Sequence, residues 1–154
     1  MKKFVWDTSA LINLKEPNSQ GYSPANSFMK DFSDGWIEGP YLNIFPAIAI
    51  FELSAIVARK HREGGKMLRD FYIFNDKSKI YDIDQKLAEK SYDLAATSGF
   101  DKLRGADLIF ACIAYLEDAF LVTMDNDFKT VSDKIKIINL NESINTANYR
   151  KLFN

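Results

Sequence analysis

The chain has 154 residues, 47% of them hydrophobic, which is enough for one packed domain and excludes a disordered chain. Cys112 is the only cysteine and His61 the only histidine. That excludes an intrachain disulfide, a thiolate zinc site, a Ser-His-Asp or Cys-His triad and a histidine-rich metal site. The formal charge of −1 counts against a broadly basic nucleic-acid-binding surface, although a site built of acids would itself lower the total.

In chain order, short β-type runs alternate with helical ones, the pattern of an α/β domain with a mostly parallel sheet. The opening Met1-Lys2-Lys3-Phe4-Val5-Trp6-Asp7 lacks the long apolar stretch of a secretory signal. No run reaches the roughly 18 to 20 apolar residues of a membrane span, so a cytoplasmic protein with no membrane partner is expected. A strand is predicted over residues 3–6 and a helix from residue 9 to 14. Pro17, Asn18, Ser19 and Gly21 mark a loop, and Ser23-Pro24 reads as a capped helix start with proline at the first position. That helix should end at Gly35. Residues 42–45 form a strand stopped by Pro46, followed by a helix over 47–62 closed by Gly64-Gly65, and a further helix is expected near 66–74. A strand over 79–81 leads to a helix capped by Asp84 and running to about Ser98. Gly99 and Gly105 bracket a loop ahead of a helix over 106–117. A strand over 120–124, a helical turn or two over 127–132, a last strand over 135–140 and a closing helix over 142–152 complete the prediction.

With histidine and cysteine chemistry removed, catalysis must rest on carboxylates, hydroxyls and Lys or Arg. Four acids stand out. Asp7 follows the first strand; in open parallel sheets ligands bind beyond the carboxyl ends of strands, and the competing reading is a helix N-cap shared with Thr8 and Ser9. Glu52 interrupts an apolar helix, with Ile48, Ala49, Ala55 and Ile56 as helical neighbours, so it is predicted to point toward the core. An unpaired buried carboxylate needs a cation or a proton; the competing reading is an ion pair with Arg59. Asp107 opens a helix that is apolar nearly all round, where an acid also complements the helix dipole. Asp125 ends the strand Phe120-Leu121-Val122-Thr123-Met124, where turn chemistry with Asn126 and Asp127 is the alternative. A calcium loop is excluded, because Lys129 and Thr130 stand where an oxygen ligand and a glycine are required.

Together the four acids fall at one edge of the predicted sheet. Without a cation they would repel one another in a dry pocket. Oxygen-only ligands select hard ions such as Mg²⁺ or Mn²⁺, which polarise phosphoryl oxygens and activate water. Phosphodiester hydrolysis without histidine is the chemistry this set can support.

At these residues the chain resembles the PIN-domain nucleases. Val5-Trp6-Asp7-Thr8-Ser9-Ala10-Leu11-Ile12 is similar to the family's first acidic motif and Ile50-Phe51-Glu52-Leu53 to its second. Arg104-Gly105-Ala106-Asp107-Leu108-Ile109 is similar to the third, and Leu121-Val122-Thr123-Met124-Asp125-Asn126-Asp127-Phe128 to the fourth. The resemblance implies a single three-layer α/β/α domain over residues 1–154. It implies a Mg²⁺- or Mn²⁺-dependent endoribonuclease of the VapC toxin type. Asp7, Glu52, Asp107 and Asp125 would be its metal-binding catalytic acids, with Ser9, Thr123 and Asp127 in support. A homodimer and a small antitoxin partner are further implications. The segment from Pro17 to Pro40, with Phe28, Phe32 and Trp36, is longer than a minimal member carries, which leaves the partner surface open.

Lys102 and Arg104, just before Asp107, are candidates for steering RNA. Arg59-Lys60-His61-Arg62 with Lys66 and Arg69 reads first as a solvated helix end, and Phe71-Tyr72-Ile73-Phe74 as core or dimer surface. Cys112 is predicted to be buried and without a catalytic part. Rival functions are a stand-alone RNA-processing nuclease of the same family, an acid-cluster phosphatase or phosphotransferase, and a non-catalytic binding module. Ser9 stands where a haloacid-dehalogenase pattern needs a second Asp, and no acid of the site has been lost, which weighs against the last two.

Overall fold

The structure is a computed structural model and describes residues 1–15, 22–60, 76–141 and 148–153. Residues 16–21 of the loop expected at 16–22, the Gly64-Gly65 stop, the helix near 66–74, most of the basic cluster after Arg59 and the aromatic run at 71–74 lie outside the described residues.

Five parallel strands form the sheet: β1 (Lys2–Trp6), β2 (Tyr41–Pro46), β3 (Ser78–Tyr81), β4 (Phe120–Thr123) and β5 (Lys136–Asn139), in the order β3-β2-β1-β4-β5. The helices are α1 (Thr8–Lys15), α2 (Tyr22–Ser33), α3 (Ala47–Lys60), α4 (Gln85–Ala95) and α5 (Gly105–Leu116), with 3-10 turns at Phe100–Lys102, Asp127–Val131 and Asn148–Leu152. From β1 the chain steps outward to β2 and β3, returns to place β4 against the other side of β1, and ends at β5. Right-handed crossovers then put α1, α2 and α3 on one face of the sheet and α4 and α5 on the other, the three-layer α/β/α arrangement expected. Among the described residues no helix is long and apolar enough to cross a membrane.

Strand alternation builds the core. Phe4 and Trp6 project to the α2 face, where the Phe4 ring meets Phe28 and Phe32 edge-on at 5.9 and 5.0 Å. On the other face Lys3 reaches the end of α5 and pairs with Glu117 at 2.7 Å. The aromatic residues of the long segment therefore divide: Phe28 is fully buried, whereas Trp36 is 55% exposed beneath the Arg150 guanidinium, 4.3 Å from its ring centre.

Several local expectations shift. α2 begins at Tyr22, so Pro24 is its third residue and Ser23 is inside the helix rather than capping it. It ends at Ser33, with Gly35 at φ +79° just beyond. Asp84 does cap α4, its carboxylate accepting from the Leu87 amide at 2.8 Å. The closing segment is described only as the turn Asn148–Leu152, which packs Phe153 against Phe4 and Phe120. Cys112 is fully buried, as expected, and burial pushes its thiol pKa up.

Candidate active site

The strand order reverses between β1 and β4, and the crevice beyond the carboxyl ends of those two strands is where open α/β sheets place ligands. Asp7 follows β1 and Asp125 lies two residues beyond β4. Asp107 stands in the first turn of α5 and Glu52 midway along α3.

Asp7 is 3% exposed. Its Oδ1 accepts from Ser9 Oγ at 2.6 Å and from the Ala10 amide at 2.9 Å, and its Oδ2 accepts from the Thr123 hydroxyl. Asp7 caps α1, the competing reading of the sequence, and it is also buried at the strand end, where the ligand-binding reading needs it. Its partners are neutral. Burial therefore outweighs the hydrogen bonds and pushes its pKa up to about 6.

Asp107 is half-buried. Its pKa is also raised, first by loss of solvent and then by the charges of Asp125, Asp127 and Glu52. Those acids are thus close enough to repel it, and Asp127 belongs with them. The expectation of mutual repulsion needs one correction. Asp7 is shifted by burial and not by its neighbours, and the others stand on a partly open rim rather than in a dry pocket.

Glu52 likewise departs from the core-pointing expectation. Phe51 and Ala55 turn to solvent while Ala49 and Leu53 are buried, which leaves Glu52 at the boundary and half-exposed. Its Oε2 accepts from the Thr8 hydroxyl, a tether the sequence reading missed, and Arg59 gives its Nε to the Ala55 carbonyl at 3.1 Å instead of to Glu52. The supporting hydroxyls do more than expected. Ser9 Oγ also accepts from the Met124 amide at 2.9 Å, and Thr123 Oγ1 from the Asp125 amide at 2.8 Å, so each binds β1's acid to β4's loop. Lys102 and Arg104 are both exposed at the head of α5, and the Asp107 amide donates to the Arg104 carbonyl at 3.1 Å. Gly99 lets this loop lie against the turn at Asp127–Val131. A Cβ there would sit 2.3 Å from the Thr130 carbonyl oxygen, and φ is +97°.

Among the described residues no three His, Cys, Asp or Glu side chains are gathered closely enough to hold a metal ion. The fit to a cation rests on donor chemistry: oxygen donors alone, with like charges raising the pKa of Asp107.

The PIN-domain family model matches residues 4–134. The chain belongs to the PIN-domain family. No curated protein sequence matches it. Solved structures share the fold at low identity. VapBC2 of Rickettsia felis, bound to a DNA fragment from its promoter, is 18% identical with a TM-score of 0.64, over 89% of this chain and 98% of that one. VapC20 of Mycobacterium tuberculosis, described as a sarcin-ricin-loop-cleaving toxin, is 13% identical with a TM-score of 0.63, over 88% and 98%. FitAcB of Neisseria gonorrhoeae is 18% identical with a TM-score of 0.65, over 89% and 97%.

Proposed function

We propose that this PIN-domain chain is a Mg²⁺- or Mn²⁺-dependent endoribonuclease acting in the cytoplasm, the toxin of a type II pair restrained by a small antitoxin. The observation that carries the nuclease reading is the acid rim at the strand-order reversal, where Asp125, Asp127 and Glu52 load their charge onto Asp107. The toxin reading is supported by likeness of fold to VapC and VapBC proteins.

Asp7, Glu52, Asp107 and Asp125 would hold the ion. Bound there, it supplies Lewis-acid polarisation of a phosphoryl oxygen and a water of lowered pKa. The chain's own residues do the rest. Ser9 and Thr123 fix Asp7 and tie it to the Asp125 loop, so both strand-end acids keep one geometry. Thr8 holds Glu52 toward them. Lys102 and Arg104 contribute positive charge that draws the RNA backbone to the rim. A second copy would pack on the outer face of α3, where Phe51 is 75% exposed beside Ala55.

The test uses purified protein with Mn²⁺ or excess chelator on RNA and on a phosphomonoester. RNA cleavage that requires Mn²⁺, with no monoester hydrolysis, is expected. Undiminished cleavage in chelator, or activity on the monoester alone, overturns the reading. Growth arrest on expression, relieved by a small protein encoded beside it, tests the toxin part.

A further inference from the structure

The loop carrying Asp125 is gripped from two sides, and only one of them belongs to the acid site. On the site side, Ser9 accepts from the Met124 amide and Thr123 from the Asp125 amide. On the far side, β5 supplies a second grip. Asn139 Nδ2 donates to the Asp125 carbonyl at 3.2 Å and to Asn126 Oδ1 at 3.0 Å. Asn139 Oδ1 accepts from the Asn141 amide at 2.9 Å, and the Asn141 side chain donates to the Met124 carbonyl.

Asn139 is 8% exposed and ends a strand whose other inward residues are apolar. Asparagine is a poor strand former, and a carboxamide in that position must find partners for its donors and acceptor. An apolar residue would pair with Thr123 through the backbone equally well. What Asn139 adds is the hold on the loop. The carbonyls of two consecutive residues, Met124 and Asp125, are drawn toward β5, while the amides of the same residues are drawn toward Asp7's partners. Both peptide planes flanking the Asp125 α-carbon are thereby set, and with them the direction in which its carboxylate leaves the backbone. Asp125 Oδ1 is further engaged by the Asp127 amide at 2.9 Å, so the grip extends to the next acid.

We propose that Asn139, assisted by Asn141, is a positioning residue that aims Asp125 and Asp127 at the ion-binding rim. The inference rests on the metal-nuclease reading above. It predicts that the clamp governs ion affinity although neither asparagine is an ion ligand.

The experiment measures Mn²⁺ binding by calorimetry and by the Mn²⁺-induced rise in melting temperature, alongside RNA cleavage across a Mn²⁺ series. Four full-length proteins are compared: wild type, Asn139→Leu, Asn141→Ala and Ile137→Ala. Ile137→Ala weakens β5 without touching the loop clamp and reports what mere loss of strand packing does. Half-saturating Mn²⁺ should rise roughly tenfold in Asn139→Leu, the usual effect of losing a group that orients a ligand, and by a smaller factor in Asn141→Ala. At saturating Mn²⁺ much of kcat should return. Ile137→Ala should melt lower with an unchanged Mn²⁺ midpoint. A wild-type midpoint in folded Asn139→Leu overturns the proposal, as does an equal shift in Ile137→Ala. If Asn139→Leu does not fold, exposed Asn141 decides, and a wild-type midpoint in Asn141→Ala is then the overturning result. A wild type that neither binds Mn²⁺ nor cleaves RNA brings down the nuclease reading, and this inference with it. A wild type that does both while the clamp variants match it brings down this inference alone.

Discussion

Asp7 and Asp31 are buried to nearly the same depth, at 3% and 1% exposure, and they are treated in opposite ways. Asp31, on α2, meets a built-in cation. Arg150 donates to it twice, from Nε at 2.9 Å and Nη2 at 2.6 Å, and the Tyr149 hydroxyl donates at 2.6 Å. Asp7 receives only hydroxyls and an amide. A buried carboxylate with neutral partners keeps part of its desolvation cost, and the rise of its pKa to about 6 expresses that. The lesson is that the fold neutralises an acid with arginine where the acid is structural. At the strand-order reversal it gives Asp7 neutral partners only, as the proposed ion site requires.

The largest effect should come from removing charge at the rim. Asp107→Asn and Glu52→Gln should each lower ribonuclease activity at least about a hundredfold, because a lost ligand removes several kcal/mol of charge stabilisation. Asp84→Asn, at the α4 cap, should leave activity nearly unchanged. Initial rates on one RNA at fixed Mn²⁺ check this, and an Asp84 variant as impaired as the Asp107 variant breaks the assignment.

A second prediction concerns the other side of the comparison. Asp31→Asn should cost roughly 2 to 3 kcal/mol of stability, since it turns charge-assisted bonds into neutral ones. The loss should be the same in chelator and in Mn²⁺, and the Mn²⁺ midpoint should not move. Denaturant melts in both conditions measure it. A Mn²⁺-dependent loss would mean that the two acids are not separate in function.

The strand-end acids were legible because their signal is local: an apolar run of β-formers followed at once by an aspartate, at Trp6-Asp7 and again at Met124-Asp125. Parallel strands and alternating helices follow from the same periodicity. Glu52 was found for a partly wrong reason. Its apolar neighbours suggested a buried face, yet Phe51 and Ala55 face solvent, because hydrophobic residues on a helix do not declare which side the sheet takes. Asp31 was not singled out at all. Nothing near it in the chain marks it as buried, and its partner Arg150 is 119 positions away. Asn139 was hidden in the same manner, as one amide at the end of a strand that the apolar pattern already explained. Ser23-Pro24 misled because the capping signature also fits a helix that has already begun at Tyr22.

The smallest expected effect is the pH dependence of the metal-free protein, and it follows from the sign of the Asp7 shift. Burial raises this carboxyl from 3.8 to about 6, so near pH 5 the folded chain retains a proton that the unfolded chain has released. The group's favourable contribution is complete below the unfolded value and is lost as pH rises through about 6; the full span corresponds to roughly 3 kcal/mol at most. Asp107 is shifted in the same direction. Glu117 acts oppositely: its hydrogen bond to Lys3 lowers its pKa below 4.5, so its stabilisation is present above that value and disappears toward acid. The informative interval therefore lies between about pH 5 and 7, above the Glu117 transition. Across it, wild type in chelator should grow more stable as pH falls, and Asp7→Asn should show a flatter curve. The difference between the two curves cancels the other titrating groups. At pH 7 the variant should melt at or above wild type in chelator. Mn²⁺ should reverse that order, because only wild type offers the full set of ligands to the ion and gains from it by mass action. Parallel curves for the two proteins, with no reversal in Mn²⁺, would place Asp7 with Asp31 as a structural acid and remove the contrast between them.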